Sequence, residues 1–186
     1  METFLSPKHL VADPRFAEER RKSQAKLDLG SIDPPIVPLM SGFMQLPWCF
    51  TLQSCYGHFL HAGQDNPRNT ERLPELSDGE SVEYRIAYLA LCVENSLLGR
   101  SLLQELEVVP DLDPGYVQFG SAAWFWRRRV NTYALQVEPR RFMTRDQACF
   151  GYREALHVER VRDEFFSRLT DLVTRQLQQT GWSSWP

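Results

Sequence analysis

The fold class this chain predicts is α/β. The reading is one layered domain, a mixed sheet of about four or more strands flanked by helices and closed by a long C-terminal helix. Three observations carry it. Stretches of strand alternation are separated by stretches of helical spacing, in the order helix, helix, strand, loop, strand, helix, strand, strand, helix. From Ile86 onward the segment Val82 to Val93 is apolar on both faces, as in a strand covered on two sides. From about Glu154, Val158, Val161, Phe165, Leu169 and Leu172 recur at three and four, the stripe of an amphipathic helix.

Each element has its local reason. Asp13-Pro14 opens the first helix, since Asp can accept orphan amides and Pro tolerates the first helical position. Arg15 to Leu29 is rich in helix formers, and Gly30 can stop it. Phe16, Leu27 and Leu29 are its few apolar anchors, which predicts a helix laid on the surface. Ser31-Ile32-Asp33-Pro34 starts a second helix, with Ile36, Leu39, Met40 and Phe43 inward, and Leu46-Pro47 ends it. Trp48 to Gln53 alternates, with Trp48, Phe50 and Leu52 on one face and Cys49, Thr51 and Gln53 on the other. It runs into a tight turn, Ser54-Cys55-Tyr56-Gly57-His58. The stretch from Gly63 to Gly79 is a polar loop. Asn95 or Ser96 caps the next helix, whose stripe is Leu98, Leu102, Leu106 and Val109 before Pro110. Tyr116 to Trp126 and Thr132 to Glu138 read as a hairpin with Arg127, Arg128, Arg129 and Asn131 at its tip. The domain runs over 13–180, after an arm at 1–12 and before a tail at 181–186 that carries Trp182 and Trp185.

The chain has 186 residues and 42% hydrophobic content, enough for a core. A net charge of −3 and a pI near 5.8 argue against a broad phosphate-binding surface and leave only a local patch for nucleic acid. The N-terminus lacks the basic and apolar regions of a signal peptide, and no run approaches the ~20 apolar residues of a membrane span. Cys49, Cys55, Cys92 and Cys149 show no paired spacing, so free thiols in a reducing cytoplasm are expected.

Two motifs carry a resemblance. Gly30-Ser31-Ile32-Asp33 matches a Gly-x-x-Asp stretch, and Thr51-Leu52-Gln53-Ser54-Cys55-Tyr56-Gly57-His58 matches a Thr-x-Ser-Ser-Cys-Ser-Gly-Arg signature at the end of a strand. Both belong to the wybutosine-synthesis tRNA methyltransferase family, which this chain resembles as a divergent member. The layout is similar over about residues 14 to 175. Gly115 to Ser121 is similar to the family's Gly-Phe-x-x-Ser-Gly segment. His58 stands where the family has Arg, and Gln53 where it has Ser. The Glu-Pro and His of the family are absent from Tyr84 to Val93. The resemblance implies S-adenosylmethionine as cofactor, held near Thr51, Ser54, Cys55 and Gly57. It also implies catalytic roles for Asp33 and His58, and tRNA as partner.

The residues carry other readings. Gly57 after a strand lets adjacent amides meet an anion or carboxylate; the plain alternative is a tight turn with a buried Cys and a packed His. Cys55, His58 and His61 offer zinc-type donors, completed by Asp65 or a distant residue, which would suit a metal-dependent hydrolase. Cys55 with His58 as base is a nucleophile reading that lacks an orienting acid. Asp33 is a helix cap on the plain reading and a proton acceptor for methyl transfer on the other. Arg127, Arg128 and Arg129 beside Trp124 and Trp126 form either a nucleic-acid contact or a solvated tip above core tryptophans. A binding module without chemistry is the alternative to an enzyme. Trp182, Trp185 and the C-terminal helix are the candidate homodimer contacts.

Overall fold

The computed structural model describes residues 6–77, 79–121, 123–142 and 147–179. The strand at its centre is β4, Ala87–Val93, buried at every position but Tyr88. β1 (Cys49–Cys55) pairs along one side of it and β6 (Thr132–Val137) along the other, and β5 (Val117–Gly120) adds to β6. The sheet order is β1-β4-β6-β5 and each pairing is antiparallel. A second antiparallel sheet, β2-β3-β7, is built from His58–Leu60, Ser81–Arg85 and Gln147–Gly151. With α1 (Phe16–Lys26), α2 (Val37–Gln45), α3 (Leu97–Glu107), α4 (Ala123–Arg128) and the 28-residue α5 (Tyr152–Gln179), this is the expected α/β class with its long final helix. Its strands are divided over two sheets.

The main core lies between one face of the large sheet and helices α2, α3 and α5. Ile36, Met40 and Phe43 meet Leu89, Leu91 and Val93 there, along with Leu102, Leu106, Val158, Phe165 and Leu169. The other face of β1 and β4 is covered by α1, whose Phe16 packs on Phe50 and Cys92. Of the predicted α1 anchors only Phe16 is buried. Leu29 is 38% exposed, because the helix ends at Lys26 and Gly30 lies in a separate 3-10 turn capped by Asp28. Ser96 is the α3 cap and accepts the Gly99 amide at 3.1 Å. Leu98, placed in the buried stripe, is 44% exposed, and Leu103 takes the inward position.

Three expectations change. Val82 to Val93 is two strands in two sheets. Arg85 pairs with His58 and Gln147, while Ala87 pairs with Val137, so the run breaks at Ile86. The hairpin at Arg127 to Arg129 does not form. β5 ends at Gly120, and Trp124, Phe125, Trp126 and Arg127 belong to α4. Asn131 then turns the chain at φ +60 and binds Val11 through both ends of its amide, at 2.9 and 2.8 Å. That bond pair, with the Tyr133 hydroxyl donating to the Lys8 carbonyl, fastens the N-terminal arm to β6. β7 is a strand the alternation did not reveal. Trp182 and Trp185 lie outside the described residues. No described helix is long and apolar enough to cross a membrane.

β1 carries an irregularity that matters for the site. Thr51 pairs with Leu91, but Gln53 pairs with Ala90, leaving Leu52 as an extra residue. Cys49 and Thr51 therefore share the core face with Val93 and Leu91. Past the bulge that face passes to Ser54, opposite Leu89, while Gln53 and Cys55 join Ala90 and Tyr88 on the other.

Candidate functional site

After β1 the chain reverses sharply. Gly57 adopts φ +90, and a Cβ there would lie 2.8 Å from the Ala87 Cβ and 3.0 Å from the Tyr84 hydroxyl. Only glycine fits this approach. The turn is held from behind by α5. Arg162, 1% exposed, donates to the Gly57 carbonyl at 3.2 Å and to Asp163 through two nitrogens, at 3.0 and 2.8 Å. Its guanidinium lies 4.1 Å from the Tyr56 ring centre, the Tyr56 ring stacks on Phe166, and the Tyr56 hydroxyl donates to Asp163. Tyr56 is thus turned back into the body. Cys55 and His58, on either side of Tyr56 and Gly57, face the opposite way.

They face Asp33. Its side chain makes no cap bond to the 3-10 turn that follows it. It reaches the SCYGH turn, where Oδ2 accepts the Tyr56 amide at 2.8 Å and lies 3.3 Å from His58 Nε2. His58 Nδ1 lies 2.9 Å from the Asn69 carbonyl. A carbonyl only accepts, so Nδ1 carries a proton and Nε2 is the nitrogen presented to Asp33. Burial disfavours the imidazolium, yet Asp33, Cys55 and the Asn69 carbonyl outweigh it and raise the His58 pKa to about 10. Burial likewise works against the Asp33 carboxylate. Hydrogen bonds from His58 and the Tyr56 amide prevail and hold its pKa below the ordinary value, with further attraction from His58 and Arg68. At neutral pH the two groups form an ion pair, with His58 95% buried by its 5% exposure.

This pair forms part of the wall of a cavity of about 540 Å3. Thr51, Ser54, Cys55, Asp33 and His58, all singled out in the sequence, line it together; Gly57 shapes the turn behind. Lys26, Arg68 and Tyr88 also line it and carried no local signal. Tyr88 arrives because the register sets it opposite Cys55. Arg68 arrives because the Gly63 to Gly79 loop is anchored, by Asn69 to His58 and by the Leu73 amide to Glu159 at 2.8 Å. The Thr51 carbonyl accepts the Ser23 hydroxyl at 2.9 Å, which ties α1 to the same wall.

The other candidates fall elsewhere. His61 forms a bridge with Gln64 and is not a member of the Asp33, Cys55 and His58 cluster. Arg129 is ion-paired with Glu19 and lies over Phe50, so it serves the packing of α1. Arg128 stacks 3.7 Å from the centre of the Trp124 ring, which is 50% exposed, and Arg127 is exposed. All four cysteines are free thiols, and burial pushes Cys92 up to about 12 and Cys49 higher still.

No family model matches this chain, and no curated protein matches it. Among solved structures it is similar to two of the PH1069 protein from Pyrococcus horikoshii. One is 14% identical with a TM-score of 0.45, covering 90% of this chain and 96% of the other. The second is 13% identical with a TM-score of 0.44, covering 90% and 94%.

Proposed function

We propose that the chain is a divergent wybutosine-methyltransferase-like protein that binds S-adenosylmethionine in the 540 Å3 cavity and methylates a base nitrogen of an RNA, tRNA being the class the resemblance suggests. One observation carries the reading. The two motifs of the resemblance, Gly30 to Asp33 and Thr51 to His58, are joined by the 2.8 Å bond from the Tyr56 amide to Asp33 and border one cavity. A scatter of unrelated turns would not bring them together.

The donor set fits this cofactor. Lys26 and Arg68 supply cationic donors suited to an amino-acid carboxylate, and Thr51 and Ser54 supply hydroxyls for the polar edge of a nucleoside. When bound, the cofactor supplies an electrophilic methyl group. The chain's own work is positioning and the removal of one proton. A ring nitrogen becomes strongly acidic as it gains a methyl group, so even the weakly basic Asp33 carboxylate can accept its proton. Asp33 Oδ2 is occupied by the Tyr56 amide and His58, which leaves Oδ1 for that proton. His58 holds the carboxylate in place with its charge.

The test is thermal stability of the full chain with S-adenosylmethionine or S-adenosylhomocysteine, followed by methyl transfer from labelled cofactor to total tRNA. Cofactor at about a hundred times its Kd stabilises by about 2.7 kcal/mol, a rise of several degrees. Arg68→Ala should remove the rise while leaving the unliganded midpoint unchanged. Asp33→Asn should keep binding and lose turnover. No rise with either ligand overturns the reading. A rise with no transfer to any RNA leaves the binding module.

A further inference from the structure

The same wall holds a donor set that does not depend on methyl transfer. Asp33 offers a carboxylate oxygen, Cys55 a sulfur and His58 a ring nitrogen, and the three atoms lie within 4.8 Å of one another. Ligand atoms around a four-coordinate zinc ion, at bond lengths of about 2.0–2.3 Å, sit roughly 3.3–3.6 Å apart. The His58 Nε2 to Asp33 Oδ2 distance is already 3.3 Å. The Cys55 sulfur lies within 4.8 Å of both and has to draw closer to complete the third bond.

The outer groups are in place as well. The Asn69 carbonyl fixes the His58 ring through Nδ1 and aims Nε2 inward. The Tyr56 amide fixes the Asp33 carboxylate. Held imidazole and held carboxylate are what surrounds a bound metal, where such partners orient the ligands and raise their basicity. The cavity side stays open for a fourth ligand.

We propose that Asp33, Cys55 and His58 form a binding site for a borderline-soft divalent cation, zinc being the best match, with a fourth position open to water or a small ligand. Thiolate and imidazole select zinc over magnesium or calcium, and three protein ligands with one open position is the arrangement of a reactive rather than a purely structural ion. Binding involves no redox change. The ion takes the place of the proton on His58 Nε2 and of the Cys55 thiol proton, and both leave to solvent. Asp33 cannot hold an ion and accept a substrate proton in the same turnover, so the occupied site would compete with the methyl-transfer reading. The metal site itself does not rest on that reading.

The experiment is titration of the chelator-stripped full chain with Co2+, followed by absorbance and by elemental analysis after dialysis. Expected are one ion per chain, a thiolate-to-cobalt charge-transfer band in the near ultraviolet, four-coordinate ligand-field bands in the visible, and their loss on adding Zn2+. Cys55→Ser should abolish the charge-transfer band with an unchanged melting midpoint, Asp33→Asn should weaken binding at least about tenfold, and His61→Ala should change neither. The Cys55→Ser result decides the matter even where His58→Gln fails to fold. Absence of stoichiometric ion, or a charge-transfer band that survives Cys55→Ser, overturns the proposal. Cofactor binding is measured on the stripped chain, so failure of one reading is seen separately from failure of the other.

Discussion

Gly57→Ala tests whether the site depends on a turn that only glycine can make. The wild-type φ of +90 is unfavourable for an L side chain by about 1–2 kcal/mol. The smaller entropy of the unfolded alanine chain returns about 0.4–1 kcal/mol. The new methyl would sit 2.8 Å from the Ala87 Cβ, where carbon atoms prefer roughly 3.5–4.0 Å. Its neighbours cannot yield easily, since the Ala87 amide donates to the Tyr84 hydroxyl and that hydroxyl donates to Val137. Relieving such an overlap costs about 1–3 kcal/mol. The sum is about 1–5 kcal/mol and near 3 at the middle of each range, or a midpoint lower by roughly 6–12 °C in a domain of this size. Urea unfolding followed by tryptophan fluorescence measures it. The control is Gly151→Ala, where nothing lies within 4 Å of the added methyl and stability should change by less than about 0.5 kcal/mol. A Gly57→Ala variant within about 1 kcal/mol of wild type would refute the argument, because the turn would then have other ways to form.

Arg162→Met should destabilise by about 3 kcal/mol, since the Gly57 carbonyl and Asp163 lose a buried charged partner; Arg162→Lys should not restore it, as one ammonium cannot span both. Chemical denaturation of the three proteins gives the answer. Arg20→Ala removes donors from the Met44, Leu46 and Cys49 carbonyls at the end of α2 and should cost about 2 kcal/mol, read from the same unfolding curves. Asn131→Ala should cost about 2 kcal/mol and free the N-terminal arm, seen as faster proteolytic cleavage between residues 8 and 12.

Where a side chain's partner lies close in sequence, or where periodicity is long, the fold was legible. The stripe of α5, the inward face of α2 and the Ser96 cap follow from spacing and hydrogen-bonding chemistry alone. The break at Ile86 was not legible. Neither Gly nor Pro marks it, and it exists because two different neighbours claim the two halves of one apolar run. Trp124 to Trp126 suggested a strand through aromatic content, but tertiary context made a short helix, with Phe125 packed on Ala90 and Ala134. At the site, Asp33, Cys55 and His58 stood out because Gly and Pro nearby announce special backbone. Lys26, Arg68 and Tyr88 are ordinary residues locally, and only loop path and strand register bring them in. Arg162 did leave a signal: it occupies a buried-stripe position between Val158 and Phe166, where a charge needs a reason.

The extra residue in β1 has a consequence for how this protein can vary over its descent. Before Leu52 the strand's alternation is read by the core, and after it the same alternation runs in the opposite phase. Substitutions at Gln53, Ser54 and Cys55 can therefore be sampled without repacking Cys49, Phe50 and Thr51. The extra residue is a spare. Loss of Leu52 alone would leave Thr51 opposite Leu91, Gln53 opposite Ala90, Ser54 opposite Leu89 and Cys55 opposite Tyr88, closing the ladder without turning either cavity side chain. A residue added between Gln53 and Cys55 has no such outlet and would carry Cys55 to the other face of the sheet. Lineages of this chain are free to shorten that segment by one residue, and are constrained against lengthening it.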